Sequence, residues 1–220
     1  MGHSERSDGL SNEEHLLQAC RRGDRQALDQ LFRLQSPAVH RLLLRIVGPR
    51  PEVEDLLEAT FSAAIDAFPR FRGEASVERW LAGIATRVAF CHYRYAKFRT
   101  HASLELLCGP DEPRDSRPPP DRAAETRRCI ERLYHHLEKL GSKKRITFAL
   151  YFLDGRPIAE VAAIIGESPT LTKGRIFLAR RSLLVRAQKD PVLRELLRDR
   201  SAKPGCAGLG IVMRSIRGIS

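Results

Sequence analysis

The sequence predicts an all-α protein made of two small helical domains on a flexible tether. Three observations carry that prediction. Apolar residues recur at helical spacing over residues 10–102 and again over 126–200, and neither block sustains the period-two alternation of strands. Five prolines fall between Cys108 and Glu125, among mixed charges that cannot build a core. Cap and breaker residues then punctuate each block at intervals that suit short helices.

The elements follow in order. Residues 1–9 are read as a disordered N-terminus. Leu28, Leu31, Phe32, Val39, Leu42, Leu43, Ile46 and Val47 repeat with helical period, and "GPRP" at 48–51 ends that helix. Val53, Leu56, Leu57, Phe61, Ala64, Ile65 and Phe68 form the apolar stripe of the next helix. Glu52, Asp55, Glu58, Ser62 and Asp66 fall on its other side. "PRFRGEAS" at 69–76 is a loop, and Ser76 is placed to cap a helix marked by Trp80, Leu81, Ile84, Ala85 and Val88. Residues 103–125 form the linker, extended at Pro118-Pro119-Pro120. A second helical domain occupies 126–200, and a glycine-rich tail of unassigned role occupies 201–220.

Within the second block, "IIGESPTLTKGRIFLARR" packs several signals into a short space. Gly166 suits the left-handed conformation that ends a helix. Ser168 can cap the next helix, and Pro169 fits its first position, where a missing N–H costs nothing. Val161, Ile165 and Ile176 fill the seam between the two helices, with small Ala162 where they cross. This is a helix-turn-helix pattern. Its second helix presents Thr170, Lys173 and Arg175, followed by Arg180 and Arg181. Basic and hydroxyl side chains on such a helix suit phosphates and base edges of a major groove. The plain alternative is a helical hairpin with a solvated basic face.

Charge narrows the choice of partner. The chain of 220 residues carries 38 Lys+Arg against 27 Asp+Glu, a net +11. Residues 10–102 hold 14 basic and 11 acidic groups (+3), while 130–200 hold 15 and 8 (+7). An anionic partner is favoured, nucleic acid before a membrane surface, with the C-terminal block the better candidate for duplex. Cys20, Cys91, Cys108, Cys129 and Cys206 are scattered and form no C-x-x-C pair, which argues for a reducing compartment. The start lacks a secretory h-region, and no apolar run nears the roughly 18 residues of a membrane span. The expectation is a cytoplasmic protein without membrane insertion.

Two further surfaces stand out. In "RVAFCHYRYAKFR" at 87–99, cations interleave with aromatic rings. Arg79, Arg87, Phe90, Arg94 and Lys97 face away from the apolar stripe of that helix. Cations that track a backbone beside rings that stack on bases suit unpaired strands better than a groove. The alternative is a solvated basic face with its rings in the core. The acidic side of the 52–66 helix, with Asp55, Glu58 and Asp66 beside Phe61, is a candidate docking face for a protein. Signals for catalysis are poor. Cys129, His135 and His136 lack metal-ligand spacing, Asp55 and Glu58 have nothing converging on them, and no nucleotide-binding or nucleophile-elbow motif occurs. No cofactor is expected.

These residues carry a family resemblance. Residues 52–94 resemble region 2 of the extracytoplasmic-function (ECF) sigma factors, small bacterial relatives of sigma-70. The family's acidic "D-L-x-Q-E-T-F" helix, its "F-R-G" and its "W-L-x-x-I-A" appear as Asp55-Leu56 with Glu58-Ala59-Thr60-Phe61, as Phe71-Arg72-Gly73, and as Trp80-Leu81 with Ile84-Ala85. Residues 137–183 are similar to region 4, with Asp154-Gly155, Ala159-Glu160-Val161-Ala162, Gly166, Ser168, Lys173, Arg175 and Ala179-Arg180 in place. The two segments cover about 90 residues, in the family's order. The resemblance implies that core RNA polymerase docks on Asp55, Leu56, Glu58 and Phe61. It implies that Arg72, Arg79, Arg87, Phe90, Arg94 and Lys97 open the −10 element, and that Thr170, Lys173, Arg175 and Arg180 read the −35 element as duplex. Promoter DNA and an anti-sigma factor are the other implied partners, and the implied location is the cytoplasm, at the nucleoid through polymerase. The chain departs from the family pattern at Arg87 (often Asn), Gly141 (Pro), Glu167 (an apolar residue) and Leu171-Thr172 (Thr-Val).

Two other readings compete. One is a stand-alone helix-turn-helix regulator that binds duplex without polymerase. The other is a protein-binding antagonist that keeps the fold without reading DNA. Stacking rings at 87–99 disfavour the first, and basic residues at 173 and 175 disfavour the second.

Overall fold

A computed structural model describes residues 14–103 and 122–198, with side chains described over 14–95 and 127–194. The N-terminus 1–9, the linker over 104–121, the tail 201–220 and the side chain of Lys97 lie outside the described residues. Among those described, every regular element is helical. In order they are α1 (14–21), α2 (Arg25–Val47), α3 (Glu52–Ala67), a 3-10 turn (Phe68–Arg70), α4 (Val77–Ser103), α5 (Arg122–Glu138), α6 (Ser142–Phe148), a π-helical turn (Ala149–Leu153), α7 (Ile158–Ile165), α8 (Pro169–Lys189) and α9 (Pro191–Arg198). The all-α expectation holds. Among the described residues no helix is long and apolar enough to cross a membrane.

The chain divides into two compact units. The first runs to Leu44 and takes in Pro49–Val88; the second takes in Arg45–Gly48 and the chain from Ala89 onward.

In the first unit, Asp24 caps α2, its Oδ1 accepting from the Gln26 and Ala27 amides at 2.9 and 3.3 Å. α2 stops at Val47, as the "GPRP" break predicts, with Gly48 at φ +95°. Pro51 then opens α3, and Glu52, Glu54 and Asp55 in its first turn complement the helix dipole. α3 buries Val53, Leu56, Thr60 and Ala64. The Thr60 hydroxyl is satisfied by the Leu56 carbonyl at 2.6 Å. Ile65 belongs to the predicted stripe but is 49% exposed. It lies about 100° around the helix from Ala64, beyond the edge of that narrow buried arc. Phe68, Phe71 and Trp80 pack as an aromatic trio with centroids 4.9–5.6 Å apart. Ser76 caps α4 as expected, accepting from the Arg79 amide at 3.3 Å.

The second unit packs α5, α6, α7, α8 and α9 around Leu133, Leu137, Phe148, Leu150, Leu153, Val161 and Leu183, all fully or nearly fully buried. Arg145 of α6 is only 2% exposed. Its guanidinium donates to the Ile46 and Val47 carbonyls at 3.2 and 2.7 Å and lies 4.3 Å from the Tyr93 ring centroid. A buried cation needs such partners, and the last carbonyls of a helix lack partners of their own. Tyr134 donates to the Arg45 carbonyl at 3.1 Å, and burial pushes its hydroxyl above the usual tyrosine range.

Candidate nucleic-acid interface

The geometry of the interface begins with the α7–α8 turn. Gly166 ends α7 in the left-handed conformation at φ 68°, and its amide returns to the Ala162 and Ala163 carbonyls. Ser168 Oγ accepts from the Leu171 amide at 3.3 Å, and Pro169 takes the first helical position. Each device matches the sequence reading. Val161, Ala162 and Ile176 are buried in the seam, while Ile165 is half-buried. Thr172, where the family pattern has an apolar residue, is fully buried, and its hydroxyl donates to the Ser168 carbonyl one turn earlier at 3.0 Å. That bond removes most of the cost of a hydroxyl in an apolar seam.

α8 continues past Arg181 to Lys189, with Leu183 and Ala187 buried. Of its four candidate residues, Thr170 and Lys173 are exposed, and Arg180 is half-buried. Arg175 has a different setting. Its side chain is 22% exposed, and its guanidinium donates to Glu167 Oε1 at 2.7 Å. Lys143 of α6 donates to the same oxygen at 3.3 Å. Burial would raise the Glu167 carboxyl, but these two cations outweigh it and hold it below the ordinary glutamate range. Leu171, Phe177, Leu178 and Val185 also stand exposed on α8.

On α4 the described candidates are more open. Arg79, Arg87 and Arg94 are exposed, and Phe90 is half-buried. These four fall within about 80° around the helix axis. Arg87 leans back on the Gly83 carbonyl at 3.4 Å, a weak and exposed contact. Arg72 precedes α4 with its side chain 84% exposed, 3.9 Å from Glu74. Trp80 is half-buried in the aromatic trio of the first unit. Of the interleaved rings, Tyr95 is 69% exposed. Tyr93 is committed elsewhere, its hydroxyl donating to the Ile46 carbonyl at 3.1 Å.

The acidic face of α3 splits by the same logic. Asp55 and Glu58 are exposed on the side away from the core. Leu56 is 6% exposed and belongs to the core, so its side chain supports this face from behind. Phe61 is half-buried against Phe32, with ring centroids 4.8 Å apart.

One polar centre is absent from the sequence reading. The Asp190 side chain is fully buried between α8 and α9. Its Oδ2 accepts from Arg132 Nε and a terminal guanidinium nitrogen at 2.7 and 2.5 Å, and lies 2.9 Å from His136 Nε2. Its Oδ1 caps α9, accepting from the Val192 and Leu193 amides at 3.1 and 3.2 Å. Burial alone would raise this carboxyl, but the Arg132 and His136 contacts bring it down to about 2. Asp190-Pro191 repeats the cap-then-proline signal of Ser168-Pro169 and was legible in the same terms.

Comparison with known proteins places this geometry in a family. The family model for Sigma-70 region 2 matches residues 31–99. The ECF RNA polymerase sigma factor SigM of Mycobacterium tuberculosis is 30% identical over 182 residues, covering 83% of this chain and 85% of that one. The RNA polymerase sigma-H factor of Pseudomonas aeruginosa is 26% identical over 194 residues, covering 85% and 96%. Among solved structures, CnrH in complex with the cytosolic domain of CnrY aligns with a TM-score of 0.52 at 26% identity, covering 80% of this chain and 96% of that one. The sigma factor RpoE of Bartonella quintana, in complex with the anti-sigma factor NepR, shares the fold with a TM-score of 0.52 at 18% identity, covering 76% and 96%.

Proposed function

This chain belongs to the ECF RNA polymerase sigma factors of the sigma-70 family, and on that premise we propose that it binds core RNA polymerase and directs initiation at specific promoters. The observation that carries the reading is the pairing, in one chain, of a region 2 match over 31–99 with a helix-turn-helix at 158–189 whose turn is capped by Gly166 and Ser168. A duplex reader alone has no need of the first, and a melting surface alone has no need of the second.

Asp55 and Glu58 are the docking groups for polymerase, with Leu56 and Phe61 setting the position of α3 behind them. Arg72, Arg79, Arg87, Phe90, Arg94 and Lys97 engage the −10 element. Cations there hold the backbone, and a ring gives a flipped or unpaired base something to stack on. The N-terminal end of α8 enters the −35 major groove with Thr170 and Lys173 foremost and Arg180 behind them, while Arg175, the fourth candidate on this helix, is tied to Glu167 in the turn. Domain boundaries at 10–102 for region 2 and 126–200 for region 4, with the linker between, complete this reading. An anti-sigma factor that covers these same faces is a further partner it expects, and the cytoplasm is where polymerase places it.

Reconstitution with bacterial core polymerase tests the proposal. The expected result is a transcript from one defined start site on a promoter recovered by selection, abolished by Asp55→Arg without change in helical content. Duplex binding without any polymerase association would overturn it in favour of a stand-alone regulator.

A further inference from the structure

Glu167 lies in the three-residue turn between α7 and α8, beside the N-terminal end of the helix assigned above to duplex DNA. Its side chain is 13% exposed. One oxygen takes both cations, Arg175 at 2.7 Å and Lys143 at 3.3 Å. The other oxygen is buried with no hydrogen-bond partner among the described residues. The Lys143 side chain is 62% exposed, so Arg175, at 22%, is the more deeply committed partner.

This arrangement has a consequence for charge. Arg175 and Lys173 sit two residues apart and diverge by about 200° around α8. Lys173 points to solvent, whereas Arg175 leans back against the turn. For Arg175 to reach a phosphate it must leave a carboxylate that would then be largely buried and short of a partner, which is costly. An Arg that stays on its carboxylate neutralises no phosphate and releases no counterion.

We propose that Glu167 is a positioning residue that withholds Arg175 from DNA, so that Lys173 acts alone at this end of α8 and intrinsic duplex affinity is kept low. The inference rests on the reading of α8 as a duplex-binding helix. It adds that a single carboxylate in the turn sets how many cations that helix presents. In a protein of this design, −35 binding depends more on being tethered to polymerase and less on α8 itself.

The test uses the full chain and a mixed-sequence duplex, with anisotropy titrations from about 50 to 200 mM salt, the range over which phosphate contacts separate clearly. Glu167→Gln keeps the shape of the side chain and removes its charge. It should tighten binding about five- to tenfold near 0.1 M salt and steepen the salt slope by about 1, the signature of one added phosphate contact. In the Arg175→Gln background the gain should vanish, whereas a general loss of negative charge would persist there. Arg175→Gln alone should leave affinity within about twofold, while Lys173→Gln should weaken it and flatten the slope by about 1. The Arg175 arm decides the matter even if Glu167→Gln folds poorly. Binding that falls with Lys173→Gln but is unmoved by Glu167→Gln overturns this inference alone. A chain in which no variant binds duplex overturns it together with the reading of α8.

Discussion

The two ends of α8 are built from the same parts and do different work. At the N-terminal end, Ser168 and Pro169 start the helix, and the carboxylate of Glu167 holds Arg175 and Lys143. At the C-terminal end, Asp190 and Pro191 start α9, and the carboxylate of Asp190 holds Arg132 and contacts His136. The difference is burial and division of labour. Asp190 is fully enclosed and serves as cap and ion partner at once, so both its oxygens are used. Glu167 leaves the capping to Ser168, keeps one oxygen without a partner among the described residues, and lies in the turn before α8. The first is a joint that holds α9 against α5. The second ties Arg175 and Lys143 to the turn before α8. A carboxylate beside an arginine therefore has no single meaning; its depth and the use of its second oxygen decide what it does.

The largest expected effect separates the two ends by stability. Asp190→Asn loses the charge that balances Arg132 and weakens the α9 cap, and should destabilise the protein by roughly 3–5 kcal/mol, the range for breaking a buried pair. Glu167→Gln, nearer the surface, should cost well under half of that. Chemical denaturation of the full chain, followed by circular dichroism, compares the two. Equal losses would mean that both ends are structural joints.

A pH series sharpens the same contrast. The folded Asp190 carboxyl titrates at about 2, below its ordinary value. Its contribution is therefore fully present above the unfolded carboxyl range and is lost as pH falls through the folded value. On the order of 2 kcal/mol should disappear between about pH 5 and pH 2 in the wild type. The Asp190→Asn protein should lack that part of the acid slope. Parallel acid curves for the two proteins would show that this carboxyl does not carry the difference.

The smallest expected effect lies at the N-terminal end. Thr172→Val removes a hydroxyl whose acceptor, the Ser168 carbonyl, still takes the backbone amide of residue 172 at 3.0 Å. Stability should stay within about 1 kcal/mol of the wild type, on the favourable side, because the seam is apolar. Selection of −35 sequences should be unchanged. An altered preference would place residue 172 against DNA and break the assignment of faces on α8.

The five helices that the apolar periodicity and the cap residues mark were legible because those signals are local. Gly166, Ser168 and Pro169 act through their own backbone, and Ser76 and the "GPRP" break do likewise. Asp190-Pro191 carried the same local signal, and only its long-range partners Arg132 and His136 needed the fold to be found.

The sequence by itself determined the all-α class, the helix starts and stops that its caps and breakers mark, the family resemblance, and which residues are cationic, acidic or aromatic. Each of these depends on spacing along the chain and on side-chain chemistry. Only the tertiary structure decided which of those groups are available. It put Leu56 in the core behind Asp55, committed Tyr93 to a backbone carbonyl, buried Arg145, and tied Arg175 to Glu167. The physical reason is that charge and apolarity belong to a residue, whereas exposure and partnership belong to its neighbours, and neighbours such as Lys143 and Glu167 stand 24 residues apart in the chain.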